Sequence, residues 1–94
     1  MATVELTRFR TAPNHNEALL DARPAMLADF RADRAGFLGA RLIRLASDQW
    51  LDILDWHSPE DLAASQAKGP NLPGIQAFFA AIEELIGSEQ GQDA

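Results

Sequence analysis

The stretch Phe37-Leu-Gly-Ala-Arg-Leu-Ile-Arg-Leu-Ala-Ser-Asp-Gln-Trp-Leu-Asp-Ile-Leu-Asp-Trp-His57 decides the fold. Two runs rich in β-branched, aromatic and aliphatic residues, 37–45 and 50–57, flank a short polar break at Ser47-Asp48-Gln49. That pattern reads as two strands joined in an antiparallel hairpin. Gly39, inside the first run, marks a place for a bulge or a close backbone approach. The hairpin is followed at once by a helix start. Ser58 can cap, Pro59 suits the first helical position, and Asp61 sits where a carboxylate meets the positive end of the helix dipole.

Working outward toward the N-terminus, Thr3-Val-Glu-Leu-Thr-Arg-Phe-Arg-Thr11 has strand composition and ends at the turn signal Ala12-Pro13-Asn14. From Asn16 to Arg34 the apolar residues Leu19, Ala22, Met26, Leu27 and Phe30 follow one helical face. Pro24 lies inside this helix and predicts a kink or split near Ala22 and Arg23. Gly36 supplies the stop. Toward the C-terminus, a short alanine-rich helix runs to about Ala67 and Lys68-Gly-Pro-Asn71 ends it. A further helix begins near Leu72 or Pro73. Its residues Ile75, Phe78, Phe79, Ile82, Leu85 and Ile86 make the cleanest 3.6-residue pattern in the chain. After it, Gly87 to Ala94 reads as a polar tail by pattern alone.

The order strand, helix, two hairpin strands, helix and possible last strand predicts an α+β domain of the ferredoxin-like βαββαβ kind, an antiparallel sheet with its helices on one face. Both alternating residue sets on the second strand carry apolar side chains: Phe37, Ile43 and Leu45 in one, Leu38, Ala40 and Leu42 in the other. The face away from the helices would then expose an apolar patch, which a second copy packing sheet against sheet would cover. A homodimer is the expectation.

Ninety-four residues make room for one domain over 1–94. The chain lacks cysteine, which excludes disulfides, thiolate nucleophiles and cysteine-ligated metals. A net charge of −6 with scattered basic residues opposes contact with nucleic acid. Arg8, Arg10, Arg41 and Arg44 read as cross-strand partners for acids such as Asp52 and Asp55. The start of the chain lacks the charged and apolar blocks of a secretory signal, and no run approaches the length of a membrane span, so a cytoplasmic location is expected.

With this order of elements in place, the chain resembles an antibiotic biosynthesis monooxygenase domain of the dimeric α/β-barrel superfamily. The resemblance rests on the opening Val4-Glu-Leu-Thr-Arg-Phe-Arg10 strand, on Gly36-Phe-Leu-Gly-Ala-Arg-Leu42, on Asp55-Trp-His-Ser58 before an acidic, alanine-rich helix, and on the Phe78-Phe79 helix. It implies a sheet-to-sheet dimer with a cavity between each sheet and its helices. It also implies that Gly87 to Ala94 is a strand rather than a tail. Members of this family oxidise polycyclic aromatic compounds with molecular oxygen and neither metal nor flavin, or degrade haem, and many have no assigned activity. The haem-degrading branch has an asparagine, a tryptophan and a histidine where this chain has Thr7, Ser65 and Ile75 or Gln76, so haem degradation is not expected.

The candidate catalytic residues are His57 and Thr7, the first as a proton relay near neutral pH and the second as a hydrogen-bonding group for an enolate. Phe9, Trp56, Ser65, Asn71, Phe78 and Phe79 are the candidate pocket residues. Some also have a plain structural reading: His57 as a hydrogen-bonding residue at a strand end, and the aromatic residues as core. Trp50 and Trp56 fall on one face, where indoles either fill the core or wall a flat ligand. His15 reads as a solvated residue at a helix start. The two histidines stand 42 positions apart without acidic partners at ligand spacing, so no metal site is expected. The expected function is oxygenation of a small aromatic or quinone-like molecule without a tightly bound cofactor. A non-catalytic binding or stress-response module on the same scaffold, and a cyclase or isomerase using His57, are the alternatives.

Overall fold

The computed structural model describes residues 2–94. Strand β1 (Thr3–Thr11) leads through a single 3-10 turn into helix α1 (Asn16–Asp33), followed by strands β2 (Phe37–Arg44) and β3 (Gln49–Trp56). Helices α2 (Pro59–Lys68) and α3 (Pro73–Ala80) then precede strand β4 (Ile82–Gln92). The strands form one antiparallel sheet in the order β2-β3-β1-β4. This is the ferredoxin-like arrangement expected from the sequence.

Local chemistry accounts for most boundaries. The Ser58 hydroxyl accepts the Asp61 backbone N–H at 3.1 Å and Pro59 opens α2, as anticipated. Gly36 adopts φ +80° between α1 and β2, and its carbonyl accepts the His57 N–H at 2.8 Å, which ties the α1–β2 turn to the end of β3. Pro24 does not split α1, which runs as one helix through it. Gly74 lets α3 approach α1: its N–H donates to Asp29 Oδ2 at 2.7 Å, and a methyl group there would stand 2.5 Å from the Ala25 carbonyl oxygen.

Two departures from the sequence reading concern register. In β2 a bulge between Phe37 and Gly39 places Phe37 opposite Trp56, on the same face as Ala40 and Leu42 rather than with Ile43. In β4 the last turns of the expected helix are strand. Thr11, Phe9 and Thr7 pair with Ile82, Leu85 and Ser88, because bulges at Glu83 and Ile86 insert one extra residue each time β1 advances by two. From Ile82 to Ser88 same-face residues in β4 therefore recur every three positions, which imitates a helical stripe in the sequence. Pairing with β1 also satisfies a backbone edge that would otherwise stay open. Gly87–Gln92 belongs to this strand, as the family resemblance implied and the polar pattern did not.

The core lies between the helices and one sheet face. Phe9, Leu19, Met26, Phe30, Trp50, Leu54, Trp56, Leu62, Ile75 and Phe78 are buried there. Trp56 is fully enclosed, edge-on to Phe30 and Phe37 at centroid distances of 6.1 and 5.5 Å. Trp50 shares this face, and its indole N–H donates to Thr11 Oγ1 at 3.2 Å. Val4, Leu6, Ile43, Leu51 and Ile53 lie on the opposite face and are half-buried.

Candidate functional site

Strict alternation along β1 sends Thr3, Glu5, Thr7, Phe9 and Thr11 toward the helices, and alternation along β3 sends Trp50, Asp52, Leu54 and Trp56 the same way. An acid thus interrupts the otherwise apolar face of β3, and another stands among the threonines and Phe9 of β1. Above them, α1, α2 and α3 leave a cavity of about 510 Å³, within the roughly 300–1,000 Å³ of small-molecule sites. Its apolar walls include Phe9, Met26, Phe30, Leu54, Ile75 and Phe78. Phe79 and Leu85, 41% and 61% exposed, line the same space and carry its apolar surface out to solvent.

The charged groups of the cavity wall each have a defined environment. Asp52 is held by a bidentate pair with Arg23, at 2.5 and 2.8 Å, with the two side chains 7% and 11% exposed. The Arg23 guanidinium also lies 5.2 Å from the Phe78 ring centroid. Glu83, at the β4 bulge, pairs with Arg10 at 3.2 Å. Arg34 is buried against the Phe30 ring and uses all its donors internally: on the Ser65 carbonyl and hydroxyl, on the Gly69 carbonyl, on Asn71 Oδ1 and on Asp33. It fastens the end of α1 to α2 and to the loop after it.

Glu5 differs from the other two acids. Its Oε1 accepts the Trp56 indole N–H at 3.2 Å and its Oε2 accepts the Gln66 amide at 3.4 Å, both neutral donors. Among the described residues no ion pair reaches it. Burial pushes its carboxyl above the ordinary value; the bonds from Trp56 and Gln66 oppose the rise, and the nearby Asp52 charge adds to it.

The structure brings five of the sequence candidates to the cavity: Thr7, Phe9, Ser65, Phe78 and Phe79. Three others stand elsewhere. His57 follows β3 with its side chain exposed and outside the cavity walls. Trp56 lies beneath the cavity floor, in the core, and reaches the site only through its bond to Glu5. Asn71 is held by Arg34 and Asp33, its amide donating to Asp33 Oδ2 at 3.1 Å. Glu5, Asp52, Arg34 and Gln66 were missed. For Asp52 a signal existed, a carboxylate among Trp50, Leu54 and Trp56 on the apolar face of an alternating strand; Glu5 shares its face with three threonines and gave a weaker one. For Arg34 and Gln66 none did, because their partners are distant in sequence. Among the described residues no cluster of three potential ligands could hold a metal ion, and no helix is long and apolar enough to cross a membrane.

No family model matches the chain, and no curated protein matches it. Solved structures do. A candidate antibiotic biosynthesis monooxygenase from Chloroflexus aurantiacus J-10-fl superposes with TM-score 0.69 at 21% identity, covering 100% of this chain and 94% of that one. SnoaB from Streptomyces nogalater, a cofactor-independent oxygenase, gives 0.68 at 18% identity over 99% and 93% of the two chains. Rv0793 from Mycobacterium tuberculosis gives 0.69 at 17% over 100% and 96%. At these identities the likeness is one of fold, and it extends from end to end: the chain has the ferredoxin-like fold of the antibiotic biosynthesis monooxygenase domain proteins.

Proposed function

We propose that the protein is an oxygenase of the antibiotic biosynthesis monooxygenase type, acting without a bound cofactor on a small aromatic or quinone-like compound. The observation that carries this reading is the cavity itself, with aromatic and aliphatic walls and polar groups brought to it by the sheet, by α2 and by the end of α1. SnoaB, a cofactor-independent oxygenase of the same fold, supports the reaction class.

The chemistry this cavity suits is oxidation of an activated methylene to a carbonyl. The methylene loses a proton to form a carbanion or enolate, which passes one electron to molecular oxygen. The resulting radical and superoxide combine, and the peroxide formed takes up a proton and loses water, giving the ketone. In sum, one methylene and one molecule of oxygen become one carbonyl and one water: one oxygen atom stays on the substrate carbon, and the other leaves as water with two hydrogens, the count the methylene gives up. Such a step requires a site that excludes water, holds a flat ring system and offers a hydrogen bond to the enolate oxygen. In this reading Thr7 and Ser65 supply that bond, and Phe9, Phe78 and Phe79 hold the rings.

The functional unit in this reading is a homodimer. The half-buried residues Val4, Leu6, Ile43, Leu51 and Ile53, opposite the helices, form the face a second copy would cover. The test is oxygen uptake with anthrone, with and without protein, together with product identification. Protein-dependent uptake with formation of anthraquinone supports the reading; tight anthrone binding with no uptake above the uncatalysed rate replaces it with a binding role.

A further inference from the structure

Among the described residues three carboxylates border the cavity, and one of them has no cation beside it. Asp52 is neutralised by Arg23 and Glu83 by Arg10. The remaining cation in the wall, Arg34, has its donors engaged by Ser65, Gly69, Asn71 and Asp33. Glu5 therefore stands half-buried in the cavity wall without a cation of its own, with two neutral hydrogen-bond donors fixing its position, two residues from Thr7 on the same strand face.

The geometry points to Glu5 as the general base of this cavity, removing a proton from a carbon acid such as an anthrone or a hydroxylated analogue, whose carbonyl oxygen is hydrogen-bonded by Thr7. The inference rests on the oxygenase reading for its ligand, but the proton step itself needs no oxygen. The substrate C–H bond breaks, its proton passes to a Glu5 carboxylate oxygen, and the electron pair remains on the substrate as an enolate. Return of the proton regenerates both partners. A carboxylate whose proton affinity is raised by burial is the stronger base, and the Trp56 and Gln66 bonds keep it aimed while it changes charge. The charged and polar groups that line the cavity with Glu5 include Asp52 from β3, with Arg23 of α1 on it, Arg34 after α1, Ser65 and Gln66 from α2, and Glu83 of β4, with Arg10 on it; Gln90 of β4 is the register partner of Glu5. Of these, Asp52 is the one whose charge raises the Glu5 carboxyl.

Deuterium incorporation at the anthrone methylene, followed under anaerobic conditions in heavy water by mass spectrometry, tests this directly. The wild-type protein is expected to accelerate exchange, with a rate that rises with pH through an ionisation raised above the ordinary glutamate value. Glu5→Gln, which keeps acceptor and donor atoms for Trp56 and Gln66, should lower exchange by about 10²–10⁴-fold. Binding of anthraquinone, which has no acidic C–H, should change less than about threefold, read by quenching of tryptophan fluorescence. Glu5→Asp should restore part of the exchange. Exchange by the wild type without oxygen uptake in air would uphold the base and remove the oxygenase reading. No exchange by the wild type, or undiminished exchange in Glu5→Gln, would overturn the assignment whatever the oxygen electrode shows.

Discussion

Replacing Asp52 by Leu should be among the most damaging single changes on the cavity wall, and undoing it should require a second change at Arg23. The Asp52 side chain is 7% exposed and its partner 11%, and the two make a two-pronged contact at 2.5 and 2.8 Å. Removing one member of such a buried pair costs about 3–5 kcal/mol, because the other charge stays desolvated without compensation. The residual exposure of Arg23 and its place over the Phe78 ring put the cost near the lower end, about 3 kcal/mol. For a domain of this size that corresponds to a fall in Tm of roughly 12–24 °C. Replacing both members, Arg23→Met with Asp52→Leu, removes both charges and leaves apolar side chains of similar bulk, so it should lie within about 1 kcal/mol of the wild type. Urea unfolding of the four proteins at one concentration, followed by the fluorescence of buried Trp50 and Trp56, closes the cycle. A coupling energy below about 0.5 kcal/mol would show that the pair contributes no more than a surface contact and would refute the argument.

Other expectations follow from single contacts. Ser58→Ala removes the acceptor for the Asp61 N–H and should cost about 1 kcal/mol of stability in denaturant unfolding, whereas Ser58→Asp should cost little. Gly36→Ala forces a side chain into a φ of +80° and against Asp61, so it should destabilise by more than about 1 kcal/mol, and pairing it with Asp61→Ala should recover only the steric part. Because the folded state holds the Glu5 proton to higher pH than the unfolded chain does, this group adds stability that is complete below its unfolded value and is lost as pH rises through its raised folded value. Stability of Glu5→Gln measured against pH should lack that decline. Trp56→Phe deletes the indole N–H on Glu5 and should move any ionisation seen in exchange or activity further upward; a downward move would contradict the hydrogen-bond account.

The element order was legible because each boundary carries its own chemistry: Ser58-Pro59 at a helix start, Gly36 at a stop, a polar break between two apolar runs. The stretch after Ala80 was not legible. There the bulges at Glu83 and Ile86 convert a two-residue strand repeat into a three-residue one, so Ile82, Leu85 and Ser88 share a face that periodicity assigns to a helix. What decides the matter is the open backbone edge of β1, a tertiary fact absent from residues 81–94 taken by themselves. The dislocation of Phe37 to the Trp56 side has the same origin, since one bulged residue reverses the expected alternation.

The site divides along a similar line. Thr7 and Phe9, presented by strand alternation, border the cavity, as do Ser65 from α2 and Phe78 and Phe79 from α3. Asn71 was picked for its polarity in a loop, yet its carbonyl oxygen belongs to Arg34, 37 positions earlier. No local pattern links an arginine at a helix end to a loop three elements further on. The distinction among the acids is of this kind as well. In sequence Glu5, Asp52 and Glu83 are three carboxylates of equal standing, and they become different only when the fold brings Arg23 to one and Arg10 to another and leaves the third with an indole and an amide. A cavity whose cations are all engaged offers nothing to balance a second negative charge beside Glu5. It therefore favours a ligand that arrives neutral and gives up its proton inside, so that Glu5 loses its own charge as the enolate forms and the charge count of the site stays constant. On that ground a permanently anionic aromatic, such as a sulfonated anthraquinone, should bind more weakly than the neutral parent at high pH and recover as Glu5 is protonated, whereas the parent's affinity should vary little with pH. Equal affinity of the two across that range would mean that Glu5 does not set the charge of the cavity.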